Sequence, residues 1–534
     1  MQIHRTPDPT WWQRATIYQV YPRSFAESAG HPGPHPGVGT LAGFREHIAH
    51  LAWLGVDAVW LSPVFVSPMA DFGYDVADFC AIDPSFGTLA DFDELLATAH
   101  AHDIKVLLDW VPNHTSDQHP WFQESRRDRT NPKADWYVWR DEPANNWLAS
   151  FPKGEAAWQY DDGRGQYYLR CFLKEQPDLN WDNPEVEAAM HDTLRYWLDR
   201  GVDGFRMDVV HLIGKDLALP DPAVCAEKVW GHVPFNDQPI THDRLRRIRA
   251  VLDEYGPGER VSVGEVYLLD EAAMAEYYGT AEAPELHLSF NFRFLWAPFD
   301  PAELRNRILH TTELLADRGA WPTWVLSNHD VPRHRQRYGG RETDARMAAI
   351  MLLTLPGTPF IYQGEELGLV DADVPPERVV DPGLRDGCRA PIPWNGDPLH
   401  GWAADPWLPF APEADTRNVA AQMLDEGSML HFYRRLLQLR RTTPALQSGA
   451  FTMLPGTDGL LAWRRSAEGD EWFTYVNPTD ETHPTPAGME GAMIVICSDP
   501  ALEGTTVAAR LPPRVAWVAC RRESMDTWVA SSQS

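Results

Sequence analysis

The chain is expected to fold as an α/β protein, a (β/α)8 TIM barrel with an inserted domain after strand three and a C-terminal antiparallel β domain. Three features of the sequence predict this. Short runs rich in β-branched and aromatic residues alternate with amphipathic helical patterns through most of the chain, the signature of a parallel sheet. One connection is far too long for a simple loop between strand and helix. Beyond the last long helical pattern, the periodicity changes to short strands separated by turns.

The strand-like runs are Thr16–Tyr21, Val56–Ser62, Ile104–Trp110, Gly204–Val210, Val261–Tyr267, Leu286–Phe290, Thr323–Ser327 and Pro359–Tyr362. Amphipathic stretches such as Leu89–His102, Val186–Arg200 and Thr241–Tyr255 lie between them. Eight such units suit a closed barrel better than a doubly wound open sheet. Residues 113–182 are rich in Trp, Pro, Asn, Asp and Gly and form the candidate inserted domain. A second irregular stretch, Val370–Arg417, follows strand eight and is expected to arch over the barrel mouth. The helix Met429–Arg441 comes next. Then come the short strands Phe451–Leu454, Leu460–Arg464, Trp472–Asn477, Met493–Cys497 and Val515–Cys520. The resulting division assigns 1–112 and 183–445 to the barrel, 113–182 to the insertion and 446–534 to the C-terminal β domain.

Composition narrows the function. Of 534 residues, 47 are Lys or Arg and 76 are Asp or Glu, a net charge of −29. Such a surface repels phosphate backbones and anionic lipid, which argues against nucleic-acid and membrane partners. The six cysteines, Cys80, Cys171, Cys225, Cys388, Cys497 and Cys520, form no CxxC pair, so neither a zinc site nor a disulfide framework is expected. The segment Met1–Trp12 has no apolar core of a secretory signal. The best apolar run, Ala348–Tyr362, is interrupted by Pro356 and Pro359. A soluble, cytoplasmic protein is expected.

Barrel enzymes carry their chemistry at the C-terminal ends of the strands. Here those ends are acidic: Asp109 in Asp109–His114, Arg206 and Asp208 in Gly204–His211, Glu265 in Val263–Tyr267, and His329 with Asp330 in Leu326–Asp330. Any one of these carboxylates on its own reads equally well as a cap on the next helix, and Asp109 reads best as a residue holding its loop. Four converging on one mouth repel one another, which folding does not require and acid–base chemistry does. His114 and His329 lack the compact spacing of metal ligands, so no catalytic metal and no cofactor are expected. Paired carboxylates beside aromatic rings suit glycosidic cleavage, and the chain has 23 Trp. Trp121, Trp136, Trp139, Trp147, Trp394 and Trp402 are open to two readings, sugar platform or core.

With these blocks in order, the chain resembles the α-amylase superfamily, glycoside hydrolase family 13, within its α-glucosidase and oligo-1,6-glucosidase group. Trp12–Phe25 resembles the family's opening strand and Gly73–Phe79 its Gly-Tyr-Asp turn. Gly357–Glu365 resembles its strand-eight motif and Arg385–Trp394 its lid. The resemblance implies that Asp208 is the nucleophile, Glu265 the general acid/base and Asp330 the transition-state stabiliser. It implies that Arg206 orients Asp208, that His114 and His329 contact the innermost glucose, and that Tyr74 stacks beneath it. It further implies that Asp71 pairs with an arginine to close the pocket. The spacing from Trp394 favours Arg389 as that partner, with Arg385 the alternative.

Relatives often bind calcium or magnesium in the loop after the first strand. The corresponding segment here, Glu27–Thr40, has a single carboxylate, so no structural metal is expected. The expected partner is a small-molecule sugar. The expected activity is that of a retaining, exo-acting α-glucosidase on short α-1,4 substrates. An oligo-1,6-glucosidase, or a glucosyl transferase or sucrose isomerase, is the alternative. The resemblance pulls two ways on linkage: in the family a valine where Val209 stands, next to the nucleophile, goes with α-1,6 linkages, whereas His211 with Ile213–Asp216 and the lid Arg385–Trp394 resemble the maltase-type α-glucosidases. Heavy chains of amino-acid transporters share the fold but carry a membrane helix and lack the full set of acids.

Overall fold

The computed structural model describes residues 2–3, 9–219, 236–455 and 459–521. Cys225 lies outside them; the five described cysteines are free thiols. Eight parallel strands form one sheet: β1 (Ile17–Val20), β2 (Ala58–Leu61), β3 (Lys105–Trp110), β4 (Gly204–Met207), β5 (Val261–Gly264), β6 (Leu288–Ser289), β7 (Thr323–Val325) and β8 (Thr358–Tyr362). Their order around the sheet is β6-β5-β4-β3-β2-β1-β8-β7, as in a (β/α)8 barrel and unlike a doubly wound sheet. No ladder joins β6 to β7. Instead, the Thr323 hydroxyl donates to the Ser289 carbonyl at 2.5 Å and bridges the seam.

Almost every strand residue is buried, so the period of two shows only in which core each side chain joins. Ile17, Ala58, Trp60, Leu107, Val261, Val263, Val325 and Phe360 fill the barrel interior. Their neighbours Tyr18, Val59, Leu61, Val106, Leu108, Phe205 and Ile361 pack outward against the helices. Toward the C-terminal ends the inward column turns polar, with Gln19, Asp109 and Arg206. Register then aligns the chemistry. Arg206 sits opposite Asp109 on one side and Val263 on the other. The Asp208 N–H donates to the Trp110 carbonyl, and the Glu265 N–H to the Met207 carbonyl, each at 2.8 Å.

Local signals set the flanking helices. The helix Leu89–Ala101 begins with a Thr88/Asp91 capping box. The helix Pro184–Arg200 has Asn183 as its N-cap and Pro at its first position, and it stops at Gly201 with φ of 106°. Between β3 and that helix lie the short helix Pro120–Ser125 and a three-stranded antiparallel sheet of Trp139–Arg140, Gln166–Leu169 and Trp158–Asp161. At the other end of the chain, Ala450–Met453, Leu461–Ala467, Asp470–Asn477, Val515–Cys520 and Met493–Cys497 form an antiparallel sheet. Its edge is Gln2–Ile3, paired with Thr452 and Phe451, so the first strand of the chain belongs to this sheet and not to the barrel. Among the described residues, no helix is long and apolar enough to cross a membrane.

Candidate active site

One guanidinium organises the barrel mouth. Arg206, 2% exposed, donates from Nη1 to Asp109 at 2.8 Å and to Asp208 at 2.7 Å, and from Nη2 to Glu265. Its cation also lies 5.1 Å from the centre of the Trp60 ring. Three carboxylates share this one cation in a buried space. Burial pushes the Asp208 carboxyl well up; Arg206 opposes this, and the charges of Glu265 and Asp109 add to it. Burial likewise pushes Asp109 up, to about 6. Asp109 and Asp208 therefore take up protons at higher pH than free carboxyls do, and they titrate together as a coupled group. Asp109, read from sequence as a loop holder, is a structural member of this cluster.

The residue after Asp208 is strained. Val209 has φ of 36° and ψ of 42°, in the left-handed region that a β-branched side chain rarely enters. This turn aims the Val209 N–H at Glu265 Oε2, 3.3 Å away.

A hydrogen-bonded chain runs beneath the acids. Gln19 Nε2 lies 2.7 Å from His329 Nδ1, so Gln19 donates and the ring proton sits on Nε2. His329 Nε2 then faces the Tyr74 hydroxyl at 2.5 Å, and that hydroxyl donates to Asp109 at 3.1 Å. Burial lowers His329 to about 3, which keeps it neutral along this chain. The rings of Tyr74 and His329 are stacked, with centroids 5.5 Å apart. His114 is also kept neutral by burial, at about 4, and its Nε2 faces the Tyr74 carbonyl at 3.2 Å. Burial alone would raise Asp330, but His329, Arg385 and Arg389 outweigh it and hold the carboxyl well below the usual range.

The arginine that meets Asp71 is Arg385, which corrects the sequence expectation of Arg389. Arg385 Nη2 lies 2.8 Å from Asp71 Oδ1, and Nη1 lies 2.9 Å from Asp330. Asp381 holds the same guanidinium through Nε and Nη2, at 2.8 and 2.7 Å. Arg389 instead donates from Nη2 to Asp330 at 3.1 Å and from Nε to the His329 carbonyl at 2.8 Å. The two arginines sit at either end of one short 3-10 turn, which sends their side chains to different partners. Asp71 is held by its own turn, where Asp75 accepts from the Asp71 N–H at 3.0 Å and from the Ala70 N–H at 2.9 Å. Phe72 and Gly73 take φ of 48° and 111° there, so the chain can double back.

A cavity of about 440 Å³ opens onto these groups, at the low end of the range for small-molecule sites. Asp71, Tyr74, His114, Asp208, Glu265, Asp330 and Arg385 line it; Arg206, His329 and Arg389 stand behind them. Sequence reasoning missed the aromatic lining: Phe151, Phe172, Tyr267, Phe292 and Trp296. Only Tyr267 carried a signal, two residues beyond Glu265 in the same strand-end block. Trp136, Trp139, Trp147, Trp394 and Trp402 are buried core and Trp121 packs against that core, so the core reading holds for all six.

Among the described residues, no three His, Cys, Asp or Glu side chains gather as a metal site. The lone carboxylate of the loop after β1 is occupied by protein: Glu27 accepts from the N–H groups of Gly37 and Ala404, each at 3.2 Å.

Comparison with known proteins agrees with this geometry. The family model "Alpha amylase, catalytic domain" matches residues 19–449. A probable alpha-glucosidase of Rhizobium meliloti is 42% identical over 510 residues, covering 89% of this chain and 90% of the relative. An oligo-1,6-glucosidase of Heyndrickxia coagulans is 35% identical, covering 88% and 93%. Among solved structures, an alpha-glucosyl transfer enzyme, XgtA, is 40% identical with a TM-score of 0.87, covering 96% of this chain and all of that one. The chain belongs to the α-amylase family, glycoside hydrolase family 13, in its α-glucosidase and oligo-1,6-glucosidase group, and is a glycoside hydrolase.

Proposed function

We propose that the protein is a retaining, exo-acting α-glucosidase that releases glucose from the non-reducing end of short α-glucosides, with α-1,4 linkages preferred. The observation that carries this reading is the Asp71–Arg385 pair. The pair lines the same cavity as Asp208 and Glu265, and in this reading it closes the end that takes the non-reducing glucose. A chain end fits such a pocket; the interior of a polymer does not.

In this reading Asp208 attacks the anomeric carbon while Glu265 protonates the leaving oxygen. Water then releases glucose from the Asp208 ester, with Glu265 now acting as base. A retaining pair works at about 5–5.5 Å. Arg206, shared by both acids, sets their relative position and opposes the burial that favours a neutral Asp208 carboxyl. Asp330, held ionised between Arg385 and Arg389, accepts hydrogen bonds from sugar hydroxyls. Asp71 and Arg385 take the hydroxyl at the far end of the ring.

The test is product analysis on maltose, isomaltose, sucrose and trehalose, with the anomeric form of the released glucose followed by NMR. Release of α-glucose from maltose supports the reading. Release of β-glucose would overturn the retaining mechanism, and a rapid loss of viscosity in starch would overturn the exo mode. Predominant formation of new disaccharides would favour the transferase or isomerase alternative, to which the similarity to a glucosyl transfer enzyme lends support.

A further inference from the structure

The turn that carries Asp71 has a second anchor. Its next residue, Phe72, takes φ of 48°, a backbone conformation that a side chain with a Cβ rarely adopts. Strain beside a pocket residue persists only where the surroundings hold it. The Phe72 ring does not line the cavity. Two guanidiniums lie against it instead, with Arg23 Cζ 5.3 Å and Arg389 Cζ 5.9 Å from its centre. Arg389 is also bonded to Asp330, but Arg23 is differently placed. It follows β1, in the 3-10 turn Pro22–Ser24. Burial strips water from its guanidinium and lowers its pKa, and Asp83 acts on it only through space. Its Nε is buried without a hydrogen-bond partner. Among the described residues no carboxylate forms an ion pair with it.

The close neighbours of this cation are two π faces. Arg23 Cζ lies 4.8 Å from the centre of the Trp407 ring, and the Trp407 and Phe72 rings lie 5.3 Å from each other. Cation and rings thus form a triangle, drawn from the end of β1, the Asp71 turn and the irregular stretch after β8. Trp407 is fixed in its turn: its Nε1 donates to Ser24 Oγ at 2.9 Å and its N–H to the Gly37 carbonyl at 3.0 Å. A cation held over aromatic faces and away from water is attracted by their quadrupoles. An alkyl side chain would fill the same corner without the cost of burying a charge. The charge makes sense through the ring it holds.

We propose that Arg23 is a positioning residue for the glucose end of the pocket: it clamps Phe72 against Trp407 and so fixes the turn on which Asp71 meets Arg385. The proposal rests on the glucosidase reading above. In that reading Asp71 and Arg385 take a hydroxyl remote from the reacting carbon, in the bound substrate and in the transition state alike. A loosened turn weakens both by the same factor, which raises KM and spares kcat.

The experiment uses the full chain and three single variants. Arg23→Met keeps the length and loses the charge, Phe72→Leu loses the ring, and Phe72→Tyr keeps it. The quantities measured are kcat and KM for maltose, the inhibition constant for glucose and the melting temperature. Arg23→Met and Phe72→Leu should each raise KM and the inhibition constant together, by roughly 3–30-fold, while kcat changes by about twofold or less. Phe72→Tyr should restore both constants to within about twofold of the natural values. Because the two residues act through one contact, the double variant Arg23→Met with Phe72→Leu should be no worse than the poorer single one. A lower melting temperature with both constants unchanged would reduce the clamp to packing and overturn the proposal. Losses that multiply in the double variant, or a fall in kcat at constant KM, would overturn it too. If Arg23→Met does not fold, Phe72→Leu against Phe72→Tyr decides by the same two constants, and equal losses in that pair would sink the idea. Each of these failures leaves the natural protein an active glucosidase. A natural protein that released glucose from no α-glucoside would overturn the glucosidase reading, and this proposal with it.

Discussion

The Asp71 carboxylate meets the Arg385 guanidinium at 2.8 Å, and the same guanidinium reaches Asp330 at 2.9 Å. One side chain thus joins the closed end of the pocket to the acid proposed to stabilise the transition state. Removing it leaves two largely buried carboxylates without that partner, and breaking a buried pair of this kind costs about 3–5 kcal/mol. Arg385→Ala is therefore expected to lower kcat/KM by roughly 10²–10³. Arg389→Ala leaves the Asp71 pair standing. The inhibition constant for free glucose should accordingly rise far more in Arg385→Ala than in Arg389→Ala. Equal rises would contradict the assignment of Arg385 to the glucose end.

The shared bonds to Arg206 make the second prediction specific. On the proposed roles, Asp208→Asn removes the attacking oxygen charge and Glu265→Gln removes the transferable proton. Both should abolish turnover of maltose without lowering the melting temperature. Glu265→Gln should still form the glucosyl-enzyme from a glucosyl fluoride, whose leaving group needs no protonation. An Asp208→Asn protein that kept more than about a hundredth of the normal rate would exclude Asp208 as the nucleophile.

The barrel was legible from sequence because its strands are continuous apolar runs, and burial on both faces demands such runs wherever they occur. The strand-end acids were legible because a converging set of carboxylates has no structural reason to exist. The partner of Asp71 was not. Arg385 and Arg389 lie four residues apart, and the direction of each depends on a short 3-10 turn that no periodicity announces. The edge strand Gln2–Ile3 is two residues long, too short to show a period. The tryptophans were ambiguous because an indole covers a core or a sugar equally well, and only position separates the two.

Activity should depend on pH through the carboxylate cluster. Burial pushes Asp109 up to about 6, and the charge of Asp109 is one of the influences that raise Asp208. As pH falls through that region the coupled carboxyls take up protons, the attacking carboxylate is neutralised, and kcat/KM should fall. Asp109→Asn removes a negative neighbour and lowers the pKa of Asp208. The acid limb should then move to lower pH, by about one unit or less. A profile whose acid limb moved upward would show that Asp109 acts otherwise than by its charge.

Divalent cations should be dispensable. Both oxygens of Glu27 are engaged by the backbone N–H groups of Gly37 and Ala404, and no other carboxylate lies in that loop. Prolonged EDTA treatment should change neither the rate nor the melting temperature. A rise of several degrees on adding calcium would indicate a bound ion that stabilises the native state.

The last prediction concerns Val209, whose backbone and side chain pull in different directions. Its left-handed conformation costs of order 1–3 kcal/mol in a β-branched residue. That conformation points its N–H at Glu265, while its side chain lines the cavity. Val209→Gly relieves the strain but also deletes a side chain buried in a hydrophobic cluster, effects of similar size and opposite sign, so the melting temperature should change by only a few degrees. The same change frees the turn that orients the acid, so kcat/KM should fall. Linkage preference is a separate matter. A methyl-sized change in one pocket is worth about 1–3 kcal/mol, and the block His211–Asp216 and the lid Arg385–Trp394 weigh against it. The kcat/KM ratio of maltose to isomaltose should therefore exceed one in the natural protein, in spite of the valine. Val209→Ala should shift it further toward maltose, by about tenfold or less. A ratio below one in the natural protein, reversed by Val209→Ala, would give control of the linkage to this residue.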